Sequence, residues 1–266
     1  MRQYITLCTI LLGGLFVLTF SSCEKNYDRV KPQYHGQEGE YSPTTPYANG
    51  TVEDIDGNVY QTIVIGDVEW MAENLKTTTY SNGDPIINAL NPNEWFENED
   101  GAYCWYDNNE MNENLGALYN WFAIANEKGL CPDGWKAPSD NDWKALEMAL
   151  GMSVEDVNAG GDAAERGRTY NIGGKLKSDD EFLWTDPNEG ATDESGFSAV
   201  GSGIRYAMGD FDHLGTKTLF WTTTANHELP DTPRATVREL TNQNIWVRRL
   251  MRSWQTGLCV RCIREK

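Results

Sequence analysis

Cys131 is the residue best suited to covalent chemistry, because a cysteine can act as a nucleophile or close a disulfide. It lies in the stretch GLCPDGWKAPSDNDWKALEMALG, residues 129–151. A nucleophilic cysteine needs a nearby base to form the thiolate, and the chain has only three histidines, at positions 35, 213 and 227. Pro132 and Trp135 indicate a packed turn. We therefore predict that Cys131 forms a disulfide and that the protein is not an enzyme.

The other cysteines fit an oxidising compartment. Cys104, Cys131, Cys259 and Cys262 can pair in three ways. The C-terminal stretch LCVRCI alternates like a β-strand, which places Cys259 and Cys262 on opposite faces and favours distant partners for both. The same geometry argues against a CxxC zinc site, as does the missing second CxxC, so we expect no metal.

The N-terminus has the features of an export signal. A charged start precedes an apolar run from Ile5 to Phe20 and two serines, which predicts a signal peptide over residues 1–22. Cys23 follows directly, and we predict that it is lipidated; the alternative is ordinary cleavage that leaves Cys23 free. Residues 23–49 are polar and contain several prolines, which predicts a flexible tether. These features predict a lipid-anchored protein of the cell envelope, at the outer membrane or the cell surface.

Composition limits the partners of the remaining body, residues 50–266, whose length suits one domain. The formal net charge is −18, so nucleic acid and anionic lipid head groups are repelled. The membrane contact that we expect is the N-terminal lipid alone.

Strand and helix signals alternate through this body. The runs Val59–Ile65 and Val68–Met71, joined at Gly66, predict a hairpin. Residues 112–128 carry apolar side chains at helical spacing and predict an amphipathic helix that ends at Gly129. Ser139 with Asp142 predicts the capped start of a second helix. Short strands separated by turn residues follow, which predicts an α+β domain whose two ends share one sheet.

Seven motifs in order give the domain a family resemblance. They are TVEDIDGNVYQTIVIGDVEWMAENLKT, GAYCWYD, GALYNWFA, LCPDGWKAPSDNDWKAL, GGKLK, GATDESGFSA and VRC. Together they resemble the Fibrobacter succinogenes major paralogous domain, common in lipoproteins of Bacteroidetes, over nearly all of residues 51–263. The resemblance implies a C-type lectin-like fold with an N-terminal hairpin, two helices, long loops and a small antiparallel sheet. Residues 154–171, Cys259 and the basic run 248–252 depart from the family pattern.

Within this domain we predict the disulfide Cys131–Cys262, which brings the second helix and the last strand together. Cys104 with Cys259 is then the remaining pair by elimination. Relatives that lack Cys259 would leave Cys104 free.

His213 and the acidic loops are weaker candidates for chemistry. No second histidine accompanies His213 at metal-binding spacing, so we interpret it as an exposed loop residue. Acidic residues between Asp179 and Glu194 suit Ca²⁺, but the EPN, QPD and WND motifs of sugar-binding calcium sites are absent. We therefore expect no cofactor, with a structural calcium ion as the alternative.

Aromatic and basic residues in the second half form the candidate binding set: Trp221, Trp246, Trp254, Arg205 and Arg248. Tryptophan rings offer apolar faces to sugar C–H groups, and arginines offer planar donors to hydroxyls or carboxylates. The alternative is that the rings are core and the arginines pair with the surplus acids.

These features predict a non-enzymatic, envelope-anchored module that binds a glycan or another cell-surface ligand. One alternative is a structural subunit of a surface assembly, which needs only exposed edges. The other is an enzyme of the formylglycine-generating type, which would need Cys259 and Cys262 as a reactive pair.

Overall fold

The computed structural model describes residues 50–161, 164–226 and 233–266. Cys23, the predicted signal peptide and the predicted tether lie outside the described residues. Within the described part, no helix is long and apolar enough to cross a membrane.

The strands of the described chain form three sheets of four, five and three strands, in the orders β1-β2-β3-β12, β11-β10-β9-β7-β8 and β4-β5-β6. In chain order the strands are β1 (Gly50–Glu53), β2 (Val59–Ile65), β3 (Val68–Met71), β4 (Ile87–Asn88), β5 (Ala102–Cys104), β6 (Leu118–Tyr119), β7 (Ser202–Arg205), β8 (Phe211–Leu214), β9 (Lys217–Asn226), β10 (Arg234–Thr241), β11 (Arg248–Ser253) and β12 (Ile263–Glu265).

The helices are short. They are α1 (Pro92–Glu97), α2 (Trp121–Ala125), α3 (Asp140–Ala149), α4 (Val154–Asn158) and α5 (Ile172–Leu176), with 3-10 turns over Tyr106–Asn108, Glu110–Leu115 and Arg168–Tyr170.

The predicted α+β, C-type lectin-like fold is wrong, because the chain forms a β-rich fold with three sheets and few helices. The second half, where long loops were expected, contains the longest strands: β9 has ten residues and β10 has eight. Their many polar side chains are typical of loops, but in the structure these side chains form hydrogen bonds within the sheet. Thr222, for example, donates its hydroxyl to the Thr236 carbonyl at 2.8 Å.

The first predicted helix is also wrong, because Gly116 divides its segment. Gly116 has φ +85, and a Cβ at this position would lie 2.3 Å from Asn74 Cβ. The chain therefore turns there against Asn74 and continues as the short strand β6. Asn120 then caps the separate helix α2 by accepting the backbone N–H of Ala123.

Other predicted elements are confirmed. β2 and β3 form the expected hairpin around Gly66, and β12 pairs with β3, so the two ends of the domain share one sheet. Helix α3 begins with the expected capping box of Ser139 and Asp142.

The five-stranded sheet lies between two hydrophobic cores. Successive strand residues point to opposite faces: Trp221 and Val237 belong to one core cluster, whereas Phe220 and Leu240 belong to the other. Because both faces are covered over most of their length, only the ends and edges of this sheet can present side chains to a ligand.

Candidate functional site

Cys131 is bonded to Cys262, as predicted. The bond joins two positions 131 residues apart in sequence and ties the turn before helix α3 to the C-terminal segment. Cys262 lies in the core cluster that contains Trp221, whereas Cys259 lies in the opposite cluster, so the expected alternation of these two cysteines is also confirmed.

The predicted Cys104–Cys259 disulfide is wrong, since both residues are buried free thiols. Cys259 donates to the hydroxyl of Ser202 at 3.0 Å and accepts from the side-chain amide of Asn74 at 3.3 Å. Burial raises the pKa of Cys104 to about 12 and that of Cys259 to about 11. A buried thiol that has hydrogen-bond partners can stay free. The assignment of one disulfide therefore does not show that the remaining two cysteines pair.

Arg261, in the VRC motif, brings three of the family motifs together. It is fully buried, donates to Asn74 Oδ1 at 2.9 Å and to the Ser198 carbonyl at 3.0 Å, and lies 4.1 Å from the centroid of Phe197. Asp193 in turn accepts the backbone N–H and the hydroxyl of Ser198 at 2.8 and 2.5 Å. Burial lowers the pKa of Arg261 to about 9. These contacts give the motif residues a structural role.

Trp221 and Arg205 are not available to a ligand, which corrects two of the five candidate residues. Trp221 is 1% exposed, and its indole N–H donates to the Tyr119 carbonyl at 2.8 Å. Arg205 is 0% exposed; it donates to the Ala89 carbonyl at 2.6 Å and lies 4.3 Å from the ring centroid of Trp95. Both side chains are therefore buried in the core.

The other three candidates are half-buried, but they are not equivalent. Trp246 lies beneath the guanidinium of Arg168, 5.4 Å from its ring centroid. Trp254 stacks on Trp121 with 4.3 Å between the ring centroids. Arg248 is one third exposed on β11 and pairs with Glu239 on β10.

Arg248 is part of a polar cluster at the end of the five-stranded sheet. Glu239 is 2% exposed and binds two guanidinium groups: Oε1 lies 3.2 Å from Arg248 Nη1, and Oε2 lies 3.5 Å from Arg252 Nη2. Tyr206 and His213, on the β7–β8 hairpin, complete the cluster, with 3.2 Å between the hydroxyl and Nε2. We call these five residues the arginine face.

The sheet geometry explains why the cluster forms. Arg248, Leu250 and Arg252 alternate along β11 and therefore share one face, opposite Glu239, Val237 and Ala235 on β10. The middle pair, Leu250 and Val237, is covered by the core that contains Trp221. The two arginines at either side stay one third exposed.

The local charge is positive in an acidic protein, because three cations lie near two carboxylates. The cations are Arg248, Arg252 and Lys217, and the carboxylates are those of Glu239 and Asp212. Burial and Lys217 lower the pKa of His213, in that order, which favours a neutral imidazole at neutral pH. Burial raises the pKa of Tyr206, which keeps its hydroxyl protonated and able to donate. The face therefore offers guanidinium and hydroxyl donors to an anionic or hydroxyl-rich ligand.

The sequence contained part of this signal. Arg248 was in the predicted set, and residues 244–251 were expected as a short strand, so the alternation Arg248-Leu250-Arg252 could have added Arg252. Glu239 and Tyr206 were missed, because only tertiary pairing brings them to β11. His213 was interpreted as an exposed loop residue, but it lies half-buried on strand β8.

A separate cleft lies beside the disulfide turn. It has a volume of about 510 Å³, and Leu130, Trp135, Lys136 and Thr223 are among its lining residues. Cys131 also lines it, but its sulfur is committed to the disulfide, so the cleft contains no free thiol nucleophile.

The acidic loop between Asp179 and Glu194 shows no assembled cation site. Among the residues that the structure describes, no group of three or more His, Cys, Asp or Glu side chains could hold a metal ion. Asp193 instead serves as the acceptor for Ser198.

No curated protein and no solved structure is detectably similar to the chain. The sequence model of one family does match: residues 63–264 fit the Fibrobacter succinogenes major domain. The match covers most of the chain, from strand β2 through the disulfide turn to the arginine face and β12. The chain therefore belongs to the family of the Fibrobacter succinogenes major domain.

Proposed function

We propose that this protein is a non-enzymatic binding module of the bacterial cell envelope, which recognises a glycan or another cell-surface ligand at the arginine face. One observation carries the proposal: Arg248 and Arg252 are both held by the buried Glu239 while a third of each side chain stays exposed. Fixed guanidinium groups lose little conformational freedom when they bind, which favours recognition of carboxylates and hydroxyl pairs.

The unused donors of the face support a binding role. Arg248 contacts Glu239 through Nη1 alone, so its Nη2 can serve a ligand. Arg252 contacts Glu239 through Nη2, and its Nη1 donates one hydrogen bond to the Met251 carbonyl at 3.1 Å, which leaves the second N–H of Nη1 for a ligand. Tyr206, a residue that is 41% exposed, adds an aromatic side chain, which suits contact with the C–H groups of a sugar.

The thiol chemistry supports a non-enzymatic role. An enzyme of the formylglycine-generating type would need Cys259 and Cys262 as a reactive pair. Here Cys262 is bonded to Cys131, and Cys259 is buried with a raised pKa. Neither sulfur combines exposure with thiolate character, which a nucleophile needs.

Envelope anchoring belongs to the same proposal and rests on the sequence alone: an export signal over residues 1–22, lipidation of Cys23 and a tether to residue 49. Metabolic palmitate labelling tests it. We expect wild-type protein to be labelled and Cys23→Ala to lose the label; label retained by Cys23→Ala would overturn the anchor. Protease shaving of intact cells would then distinguish surface display from a periplasmic location.

Binding is tested on a glycan array with the full chain, with and without calcium. We expect hits that Arg248→Ala and Arg252→Ala each weaken by about tenfold, as for loss of a charge-assisted hydrogen bond. Arg234→Ala is the matched control, because Arg234 is exposed on the neighbouring strand β10 outside the arginine face. Hits that survive both substitutions would place the site elsewhere. A silent array with concentration-dependent self-assembly would favour a structural subunit.

A further inference from the structure

An exposed apolar surface adjoins the arginine face but differs from it in chemistry. Leu90, Phe96 and Met208 are 51%, 45% and 70% exposed, and Pro92 at the start of helix α1 lies among them. We call these four residues the apolar surface. Isolated exposed apolar side chains are common, but a contiguous group is typical of an interaction site.

The backbone holds this group together. Arg205 donates to the Leu90 carbonyl at 3.2 Å, which fixes β7 against the segment that leads into helix α1. The turn that follows β7 packs on the same helix, because a Cβ on Gly209 would lie 2.6 Å from Pro92 Cβ. Met208, the residue before Gly209, is thereby placed beside Pro92.

Helix α1 directs its two aromatic side chains to opposite environments. Trp95 is fully buried beneath Arg205, and its indole N–H donates to the Gln255 carbonyl at 2.6 Å. Phe96 follows directly and lies four residues after Pro92, so these two share one side of the helix. Trp95 anchors the helix rigidly, and Phe96 is presented to solvent.

The surroundings of this surface are acidic. Residues 87–115 contain seven Asp or Glu residues and no Lys or Arg. Glu94 and Glu97 are exposed on helix α1 itself, and Asp210 is exposed directly after Gly209. An acidic rim repels anionic lipid, nucleic acid and acidic glycans, and it attracts a cationic partner.

We infer that the apolar surface binds a polypeptide segment of a partner protein in which apolar anchor side chains are flanked by lysine or arginine. The apolar anchors would pack on Phe96, Leu90 and Met208, and the basic flanks would face Glu94, Glu97 and Asp210. This inference does not depend on the arginine face, whose charge has the opposite sign and suits a different ligand. The module would then hold two ligands on adjoining surfaces.

Two short peptides of equal apolar content test the inference, one of alternating Lys and Leu and one of alternating Glu and Leu. The full chain is held in nanodiscs of zwitterionic lipid, with empty nanodiscs as the blank, and binding is followed by fluorescence polarisation. We expect the Lys/Leu peptide to bind and the Glu/Leu peptide not to bind. Added salt should weaken the binding, since the rim charges are exposed.

Variants locate the binding. Phe96→Ser and Met208→Ser should each weaken Lys/Leu binding by about tenfold, from the loss of one partly buried apolar contact. Glu94→Gln with Glu97→Gln should weaken it and reduce its salt dependence. Phe182→Ser is the matched control, because Phe182 is 75% exposed but lies outside this surface, and it should bind like the wild type.

Three outcomes would overturn the inference. Equal binding of the two peptides would remove the role of charge, and unchanged binding in Phe96→Ser and Met208→Ser would place the contact elsewhere. Dimerisation of the peptide-free chain that Phe96→Ser abolishes would make a second copy the occupant. None of these results bears on the glycan array, so the two proposals can fail separately.

Discussion

The Arg166 guanidinium and the Glu147 carboxylate form an ion pair from which solvent is fully excluded, with 2.5 Å between Nη2 and Oε2. Arg166 also donates to the carbonyls of Asp156, Val157 and Val247. It belongs to residues 154–171, where the sequence departs from the family pattern. One arginine thus ties this segment to helix α3 and to the start of β11.

We expect Arg166→Met to lower the free energy of unfolding by about 3–5 kcal/mol, because the buried Glu147 loses one of its two cations and several carbonyls lose their donor. Urea unfolding followed by tryptophan fluorescence measures this change. Arg168→Met is the matched control from the same segment: Arg168 pairs with Glu165 at the surface, so its loss should cost less than about 1 kcal/mol. Equal effects of the two substitutions would show that the buried network is not what stabilises the segment.

The Cys131–Cys262 bond should be the largest single covalent contribution to stability. Its loop spans 131 residues, for which the chain-entropy model gives about 4–5 kcal/mol, and measured values are often smaller. We expect a reducing agent to lower the urea midpoint of the wild type, with no effect on a Cys131→Ser/Cys262→Ser double variant. Peptide mapping without reduction should find this pair, and Cys131 linked to another cysteine would contradict the topology.

Cys104 and Cys259 should resist alkylation in the native protein, since each thiol is buried and its pKa is raised by that burial. Peptide mapping after N-ethylmaleimide treatment should find both unmodified in the folded chain and both modified after unfolding without a reductant. Rapid native labelling of Cys259 would revive the enzymatic alternative. A Cys104–Cys259 disulfide in the unfolded, unreduced sample would contradict the free thiols.

Local signals predicted those parts of the fold that local chemistry decides. The Gly66 turn, the Ser139 cap and the alternation of Cys259 and Cys262 each depend on a few neighbouring residues, and each is confirmed. The prediction of the first helix was wrong because helical spacing alone did not show that Gly116 packs against Asn74, 42 residues earlier in the chain. The run at residues 218–224, inside β9, was expected as a short strand, but β10 was missed because its polar residues find partners only across the sheet and on helix α3.

Two members of the predicted binding set, Trp221 and Arg205, were wrong for a related reason. Composition identified tryptophans and arginines that could bind a ligand, but in the folded chain some of these side chains are buried and others reach solvent. Arg205 and Arg248 look alike in sequence, yet one supports Trp95 in the core and the other reaches solvent beside Glu239. Strand register decides between such residues, and no local pattern encodes the register of β10 against β11.

Asp193 should make stability depend on pH. Burial raises its pKa to about 6, whereas the pKa of Asp in an unfolded chain is about 4. Between these values the folded state binds more protons than the unfolded state, so stability should fall as pH rises from about 4 to about 6. Asn at this position cannot titrate. The Tm of the wild type relative to Asp193→Asn should therefore decline by several degrees across this range, and parallel Tm profiles would contradict the shifted pKa.

The arginine face should need guanidinium geometry as well as charge. Arg252→Lys keeps the positive charge but replaces a planar set of donors with a single ammonium group. If the ligand presents a carboxylate or paired hydroxyls, we expect this variant to lose about tenfold in affinity, nearly as much as Arg252→Ala. Arg234→Lys, on β10 outside the face, should bind like the wild type. Isothermal titration with the strongest glycan from the array measures all four proteins. Full affinity in Arg252→Lys, together with a loss in Arg252→Ala, would mean that Arg252 contributes charge alone.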